Sequence, residues 1–328
     1  MRGIAGGVGL ANNYEFEDDA QRAIDEVFVG DLKDGLLCGL TKLVKESEKL
    51  IMCFRGTYIN VYYRGRNVFK ISKKQKYAYK IEFDFNYSKK SEDNHENKLI
   101  EMGFVLSKGN CLTKNIYGNE KLSFEFWEET AFIFIQFIDE FLEKHEGHKK
   151  LSISEKERQQ EIFAENMNKS FFVFDMEYDQ ARKQNKDIDD GKGVRKSGRF
   201  DMLALRKNID NNKYMLNFIE LKSKKDACDK GSSDIVKHCD DLVNYKSNVD
   251  LMNSRRKDAI KMVQVYSRLG LMDEDFDTNI EIDGEVEIVF IFTDEAKEWY
   301  LLNKDTKVPK HRAVEKEKDD KHIWIKMN

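Results

Sequence analysis

The sequence predicts a protein of mixed α/β (α+β) class built from two units, at residues 1–150 and 151–328. Its length of 328 residues is enough for two domains of ordinary size. Segments with apolar residues at three-to-four spacing, typical of helices, alternate with short runs rich in β-branched and aromatic residues, typical of strands. The order of these segments differs between the two halves, which is why two units are predicted.

In the first unit, helical periodicity over residues 15–43 is followed by LIMCFRGTYINVYYRGRNVFKISKKQKYAYKIEFDFNY at residues 50–87. The alternation of this stretch and its RG and GRN breaks predict three or four antiparallel strands, hence an α+β unit. A further helix is predicted over residues 126–144. The apolar run AFIFIQF within it is far shorter than the about 18–20 residues that span a bilayer, so we expect a buried element and no membrane contact.

The second unit begins with the predicted helix SISEKERQQEIFAENM, with Ser154 as its N-cap and Glu157 as the capping-box partner. The segments that follow predict three strands, two helices and a last strand, at residues 171–178, 199–206, 214–222, 233–248, 256–269 and 285–294. This order predicts an α/β unit with a mixed sheet.

Composition and charge narrow the functional classes. The chain is 40% hydrophobic and 35% charged with a net charge of −4, which is typical of a soluble globular protein. This balance gives no signal for a membrane or a polyanion, so nucleic acid would need a local basic patch. The five cysteines include no CxxC pair and no secretory leader precedes them, so we expect reduced thiols and a cytoplasmic protein.

The most informative motif is the acid-x-lysine pair of Glu220 and Lys222. Glu-x-Lys occurs three times in the chain, but only this copy lies at the end of a predicted apolar strand. Strand alternation places Glu220 and Lys222 on one face, with Ile219 and Leu221 on the other. Asp201 lies in the preceding predicted strand, directly before its apolar stretch MLAL, so a hairpin through NIDNN can bring its carboxylate to the same region of the sheet.

Carboxylates gathered in this way are costly to bury unless a cation compensates them. Mg²⁺ would suit because it takes oxygen ligands, here the two strand carboxylates and the backbone carbonyl of Leu221. It would activate water for phosphodiester hydrolysis, with Lys222 stabilising negative charge in the transition state. The helix acids Glu161 and Glu165, four residues apart, could supply a third carboxylate. The alternative is a surface ion pair without function, worth about 0–1 kcal/mol.

At these residues the chain resembles the PD-(D/E)xK nuclease superfamily, which has a restriction-endonuclease-like fold, and in particular a bacterial group within it. The likeness in motif covers about residues 152–295 and includes GRFDMLAL and FIELK. It implies an α-β-β-β-α-β core. The site residues it implies are Asp201 and Glu220 as metal-binding acids, Lys222 as the catalytic lysine, and Glu161 or else Glu165 as the helix glutamate.

The same resemblance implies a Mg²⁺-dependent nuclease, with Mn²⁺ able to substitute, that cleaves DNA and leaves a 5′-phosphate. The sequence leaves open whether it is an endonuclease or an exonuclease. A role in bacterial restriction or anti-phage defence is expected by analogy with the superfamily. One departure is Phe200, which precedes Asp201 where the simplest form of the motif has proline. A rival in a different class is a non-catalytic DNA-binding or assembly module of the same fold. Double-strand cleavage would favour a homodimer, and the N-terminal unit could bind a partner protein.

Three further residues have more than one interpretation. Asp175 and Glu177 alternate on the first predicted strand of the second unit, either as additional ligands, as groups that support Lys222 or Arg199, or as a solvated face. His238 follows the third strand, on a predicted helix. It could contact phosphate or relay a proton, or it could cap or pack that helix.

A basic patch surrounds the acid-x-lysine motif. Between Lys192 and Lys225 the sequence has ten basic residues and three acidic ones. A phosphate backbone would bind at such a local excess of positive charge, and the alternative is a flexible lysine-rich loop. The residues expected to contact nucleic acid are Arg195, Lys196, Arg199, Lys224 and Lys225. In the first unit, aromatic and basic residues at 58–66 either bind bases or pack between strands.

Overall fold

Two six-stranded β-sheets form the framework of the fold, the first before residue 150 and the second after it. The computed structural model describes residue 22 and residues 24–74, 78–90, 95–108, 110–146, 154–166, 171–180, 198–208, 210–229, 235–273, 276–304, 313–318 and 322–327. The predicted mixture of helices and strands is confirmed, with an antiparallel sheet in the first half and a mixed sheet in the second.

The strands of the first half are β1 Ile51–Phe54, β2 Tyr58–Tyr63, β3 Arg66–Lys73, β4 Tyr79–Asp84, β5 Val105–Ser107 and β6 Cys111–Ile116. They pair antiparallel in the order β1-β2-β3-β4-β6-β5, which confirms the predicted antiparallel strands. The helices are α1 Glu26–Lys33, α2 Cys38–Glu46, α3 His95–Glu101 and α4 Phe124–Glu146, with a 3₁₀ helix at Phe85–Lys90. None of the described helices combines the length and the apolar character that crossing a membrane requires.

The helices of the second half are α5 Glu155–Asn166, α6 Asp226–Asp229, α7 Ile235–Lys246, α8 Val249–Arg268 and α9 Asp294–Asn303. Its strands are β7 Phe171–Gln180, β8 Gly198–Lys207, β9 Tyr214–Lys222, β10 Ile282–Thr293, β11 Ala313–Lys318 and β12 His322–Met327. The sheet order is β11-β12-β10-β9-β8-β7, with β9 and β10 parallel and the other described pairs antiparallel. Ser154 caps α5 as predicted, since its Oγ accepts from the Glu157 N–H at 3.2 Å. The β11–β12 hairpin adds two strands beyond the prediction.

The β2–β3 turn holds the first sheet against α5. Arg64 and Gly65 have positive φ values of 47° and 68°, the pair that a two-residue type I′ turn requires. A Cβ on Gly65 would lie 2.4 Å from the backbone of Lys156, so the close approach also requires glycine. The Gly65 N–H donates to Gln160 Oε1 at 2.6 Å, and Arg64 Nε donates to Glu157 Oε1 at 2.6 Å. The start of α5 is therefore fixed by the first half of the chain.

The two sheets meet along their edge strands, β1 and β7. Edge strands present unpaired carbonyl groups, and here side chains donate to them. The Tyr266 hydroxyl on α8 lies 2.8 Å from the carbonyl oxygen of Met52 in β1 and 3.0 Å from that of Phe174 in β7. Arg55 donates through Nη2 to the carbonyl of Met176. The buried apolar residues of both sheets form one continuous cluster, so the halves share a core.

A buried carboxylate lies at this junction. Asp175 on β7 is fully buried, and its two oxygens contact Arg55 Nη1 and, at 2.9 Å, Arg22 Nε. The backbone N–H of Arg22 donates in turn to the carboxylate of Asp258 on α8, at 2.8 and 2.9 Å. These ionic and hydrogen-bonding contacts therefore connect three parts of the chain that are distant in sequence: the region of Arg22 and Arg55, strand β7 and helix α8.

Arg55→Met is expected to lower the free energy of unfolding by about 3–5 kcal/mol, because removing one partner of a buried pair leaves charge on Asp175 uncompensated. In this variant Arg22 still pairs with Asp175, so the loss of unfolding free energy is expected at the lower end of that range. Urea unfolding measures the loss. The control is Lys73→Met, from the exposed pair of Lys73 and Asp25 (39% and 54% exposed), where less than about 1 kcal/mol is expected. Equal losses in the two variants would contradict the importance of the buried pair.

Candidate active site

A cluster of charged side chains lies where β8 and β9 approach the N-terminus of α5 and the side of α7. The β8–β9 ladder pairs Met202 with Ile219, so Asp201 comes level with Glu220 at the next position. Lys222 follows two residues later on β9. The structure thus brings together the two strand acids and the lysine of the motif, as the hairpin predicts.

Two hydrogen bonds fix the carboxylate of Asp201. Its Oδ2 accepts from the Leu221 N–H at 2.7 Å and its Oδ1 accepts from Gln159 Nε2 at 2.8 Å. The Leu221 backbone is therefore held at the cluster. Asp201 is partly buried. Burial, the charge of Glu220 and the charge of Glu155 raise the pKa of Asp201 well above its ordinary value.

Glu220 is the centre of the ionic contacts. Its Oε1 accepts from Lys222 Nζ at 2.8 Å and lies 2.5 Å from His238 Nδ1, and the residue is only 5% exposed. Burial alone would raise the pKa of Glu220, but hydrogen bonds and positive charge from His238 and Lys222 hold it below its ordinary value. Burial alone would lower the pKa of Lys222, and the Glu220 carboxylate raises it above its ordinary value.

His238 therefore contacts the motif itself. Of its two interpretations, a role in the cluster is favoured over capping or packing of α7, because its ring nitrogen lies 2.5 Å from the Glu220 carboxylate. The two strand carboxylates consequently have opposite environments: Glu220 is held ionised by two partners, and Asp201 is driven towards its protonated form.

α5 contributes a carboxylate that the sequence prediction missed, that of Glu155. Its Oε2 lies 3.5 Å from the Oγ of Ser223, the residue after Lys222. Burial raises the pKa of Glu155 above its ordinary value; Lys222 lowers it and Glu220 raises it, with a net upward shift. Glu155 thus shares the electrostatic environment of the cluster.

The phase of α5 explains this arrangement. Ile162 and Phe163 are fully buried and define the inner face of the helix. Glu155 and Gln159 precede them at the spacing i, i+4, i+7 and i+8, which places all four residues on one face. This position of Glu155 could have been predicted from the sequence, because the adjacent apolar residues Ile162 and Phe163 indicate which face of α5 is buried.

Glu161 and Glu165 lie outside the inner face of α5. Two residues beyond Gln159 correspond to about 200° of rotation around the helix. Glu161 pairs with Arg158 at 2.5 Å and is 39% exposed, and Arg158 also pairs with Asp294 at 2.8 Å. The geometry thus favours Glu155 as the helix glutamate over the predicted Glu161 or Glu165.

Asp175 and Glu177 make their contacts outside the charged cluster. Asp175 is fully buried at the junction of the sheets, so its interpretation as a solvated residue is wrong. Glu177 has a positive φ of 54° and pairs with Lys156 at 2.5 Å in a partly exposed position. A bulge in β7 between Val173 and Asp175 precedes both residues and shifts their register against β8.

Part of the predicted basic patch lies beside the cluster. Lys224 and Lys225 follow β9 directly and are exposed. The positive charge of Lys224 acts on Glu155 and lowers its pKa, against the larger effect of burial. Arg195 and Lys196 lie outside the described residues, as does the side chain of Arg199.

The aromatic and basic side chains at the end of β2 pack within the protein. Tyr62 and Tyr63 are 3% and 7% exposed, and the Tyr63 hydroxyl donates to Asp139 at 3.0 Å. Arg64 pairs with the same carboxylate at 3.0 Å. For Tyr62 and Tyr63 the base-binding interpretation is wrong, because both rings are buried and pack between elements.

The donor set of the cluster fits a hard divalent cation. Asp201, Glu220 and Glu155 offer carboxylate oxygens, the ligands that Mg²⁺ and Mn²⁺ prefer. A cation would also offset the negative charges that raise the pKa of Asp201. Within the part of the chain that the structure describes, no three His, Cys, Asp or Glu side chains are already grouped to hold a metal ion. Mg²⁺ commonly binds through one or two carboxylates and keeps several waters, so Asp201 and Glu220 would be sufficient.

Comparison with known proteins assigns no family to this chain. No protein-family model matches it, and comparison with curated proteins and with solved structures gives no significant match. The functional interpretation therefore depends on the geometry of the cluster and on the motif that forms it.

Asp201→Asn is expected to change how stability depends on pH. A carboxyl whose pKa is raised on folding keeps a proton that the unfolded chain releases above about pH 3.9. Its stabilising contribution is therefore present at low pH and is lost as the pH rises towards the pKa of the folded state. Asparagine fits because Gln159 Oε1, which has no partner among the described residues, can accept from its amide.

Urea titrations in EDTA from about pH 4 to about pH 7 should show the native chain losing stability relative to Asp201→Asn. Glu161→Gln, in a half-exposed pair outside the cluster, should follow the native chain. A difference between the native chain and Asp201→Asn that stays constant over this range would disprove the raised pKa.

Proposed function

We propose that this protein is a Mg²⁺-dependent nuclease that hydrolyses the phosphodiester bonds of DNA. The observation that carries the proposal is the meeting of Asp201, Glu220 and Lys222 at the ends of two adjacent strands. Two carboxylates and a lysine in one enclosed cluster are the groups that metal-assisted phosphodiester hydrolysis needs. A restriction-endonuclease-like core is part of the proposal. Its support is the order from α5 to β10, in which a helix and three strands are followed by the helices α6, α7 and α8 and then by the strand β10.

Each residue of the cluster has a role in this proposal. Bound Mg²⁺ would polarise the scissile phosphate and make water a stronger nucleophile. Asp201 and Glu220 would hold the ion, with the carbonyl of Leu221 and the carboxylate of Glu155 as further oxygen donors. Gln159 positions Asp201 through its hydrogen bond at 2.8 Å.

Lys222 and His238 would act on the substrate. The raised pKa of Lys222 keeps its ammonium group protonated, so it can stabilise negative charge on the phosphate in the transition state. His238 Nδ1 faces Glu220 at 2.5 Å, so Nδ1 is the nitrogen that donates to this carboxylate. The second ring nitrogen is then the one that could take up or deliver a proton.

DNA as the substrate is supported by exposed positive charge beside the cluster. Lys224 and Lys225 directly follow the strand that carries Glu220 and Lys222. Phosphate contacts from lysine give affinity without sequence preference. A place in bacterial restriction or anti-phage defence, and dimerisation for double-strand cleavage, belong to this proposal by analogy alone.

A non-catalytic DNA-binding or assembly module is the second candidate. Its support is that Glu220 Oε1 already has two partners, Lys222 and His238, and a paired cluster of this kind can have a purely structural role. This candidate predicts DNA binding that does not depend on Lys222. It also predicts that Mg²⁺ leaves the stability of the protein unchanged.

Lys222→Ala is expected to reduce Mg²⁺-dependent or Mn²⁺-dependent cleavage by about 10²–10³-fold, because the variant lacks the group that stabilises transition-state charge. Linear, circular and single-stranded DNA are the substrates, and fragment length on gels is the readout. The matched control is Lys257→Ala, an exposed lysine of α8 outside the cluster, which should cleave like the native chain. Circular dichroism melts check that both variants fold. Equal DNA binding by native and Lys222→Ala protein, with cleavage by neither, would favour the non-catalytic module.

Lys224→Ala with Lys225→Ala is expected to weaken DNA binding at low salt and to reduce its salt dependence. For each phosphate that the variant no longer neutralises, the slope of log K against log salt should decrease by about 0.9. Fluorescence anisotropy with a labelled duplex at several salt concentrations, in EDTA, gives this slope. An unchanged slope would show that these two lysines do not bind the DNA backbone.

A further inference from the structure

A groove formed by α1, α2 and the end of α8 lies outside the charged cluster and has no part in the proposed nuclease. It consists of two adjoining cavities of about 260 Å³ and about 390 Å³. We call the smaller one the basic pocket, after its cations Lys33, Lys42, Lys45 and Arg268, and the larger one the apolar cavity, after Leu50, Met52, Leu271 and Met272. Lys45 lines both. The larger volume is within the about 300–1,000 Å³ of typical small-molecule sites.

The basic pocket is suited to an oxyanion. Asp34 is the acid among its lining residues, against four cations. Lys42 and Arg268 have acidic partners, Glu46 at 3.8 Å and Glu26 at 2.7 Å. For Lys33 and Lys45 the described residues provide no ion-pair partner. Positive charge that converges from three helices is therefore only partly compensated within the protein.

Thr41 adds an unused hydrogen-bonding group to this pocket. The residue is 4% exposed, and its hydroxyl has no hydrogen-bond partner among the residues that the structure describes. Burying a hydroxyl without a partner is costly, so such a group indicates a missing ligand or water. A phosphate offers several strong acceptor oxygens and would satisfy the hydroxyl and the lysines together.

Gly270 shapes the junction of the two cavities. It has a positive φ of 61°, and a Cβ there would lie 2.8 Å from Lys45 Nζ. Glycine therefore serves the turn at the end of α8 and also leaves room for the ammonium group of Lys45 between the cavities.

The apolar cavity offers polarisable walls and hydrogen-bond acceptors, which a ring that carries amino groups could use. Met52 and Met272 supply polarisable walls, and methionine sulfur packs well against aromatic rings. Glu48 and Asp273 also line the cavity, and their carboxylates accept hydrogen bonds. An alkyl chain would offer no donor to these acceptors, whereas the edge of a nucleobase does.

We infer that this groove binds a nucleoside monophosphate, with its phosphate in the basic pocket and its base in the apolar cavity. The inference does not depend on the proposed nuclease, because none of the cluster residues lines the groove. It is a second ligand site at the junction of the two halves, since Met52 and Tyr266, which join the sheets, are among its lining residues.

Cys38 gives a site-specific test. It lines the basic pocket and is partly exposed, while Cys111 on β6 is partly exposed outside the groove and serves as an internal control. The full chain in EDTA is alkylated with iodoacetamide with and without AMP, GMP, CMP or UMP, and each thiol is followed by mass spectrometry. At ten times the dissociation constant, at least one nucleotide should slow alkylation of Cys38 about tenfold and leave Cys111 unchanged.

Variants separate the groove from other sites. Lys45→Ala should weaken binding of the protecting nucleotide about ten- to a hundredfold, because the substitution removes a charge-assisted hydrogen bond to the phosphate. Thr41→Val, which keeps the side-chain shape, should weaken it several-fold without lowering the melting temperature. Lys257→Ala and Lys222→Ala should leave it unchanged.

The inference is overturned if none of the four nucleotides protects Cys38, or if Lys45→Ala binds the protecting nucleotide as tightly as the native chain does. Protection by inorganic phosphate as strong as that by the nucleotide would reduce the groove to a simple oxyanion site. Loss of protection in Lys222→Ala would place the nucleotide in the charged cluster instead.

Discussion

The fully buried carboxylate of Asp175 is the interaction on which the arrangement of the two halves depends. It lies where the edge strands of the two sheets meet, and it is compensated by Arg22 and Arg55 from the first half of the chain. A buried charge without such partners would be very unfavourable, so the second sheet can reach its observed state only with the first half in place. The same contact region protects two sheet edges from pairing with other chains, because Tyr266 and Arg55 donate to carbonyl groups that would otherwise be open.

The candidate site depends on a difference between two similar acids. Glu220 has the ammonium group of Lys222 and the ring of His238 beside it, whereas the nearest charges around Asp201 include those of Glu220 and Glu155. The protein therefore stabilises one ionised carboxylate and leaves the other with excess negative surroundings. That imbalance is a physical reason to propose that a cation binds at the cluster.

Much of the fold could be predicted from the sequence because its signals are local. β9 has the bounds that its apolar alternation predicts, and the NIDNN turn leads Asp201 to Glu220 without any knowledge of the rest of the chain.

The features that were not predicted have a different origin. The partners of Asp175, which are Arg22 and Arg55, lie more than 100 residues away in the chain, so no local pattern around residue 175 indicates that its carboxylate is buried. Glu155 was missed because the prediction considered only the acidic pair of Glu161 and Glu165 on α5. The inner face of this helix is instead defined by the buried residues Ile162 and Phe163. β11 lies in a charged segment, so its structure is determined by pairing with β12, whose Ile323, Trp324 and Ile325 are buried.

α5 belongs to both halves at once. Gln159 holds Asp201, while the next residue, Gln160, accepts from the Gly65 N–H and donates to the carbonyl oxygen of Lys49 at 2.7 Å. Adjacent side chains of one helix therefore serve the candidate site and the first sheet. In evolutionary terms, the boundary near residue 150 is a poor place for recombination: a second half joined to a foreign first half would keep its motif but lose the support that orients it. The two halves are expected to be inherited, and to diverge, as one unit.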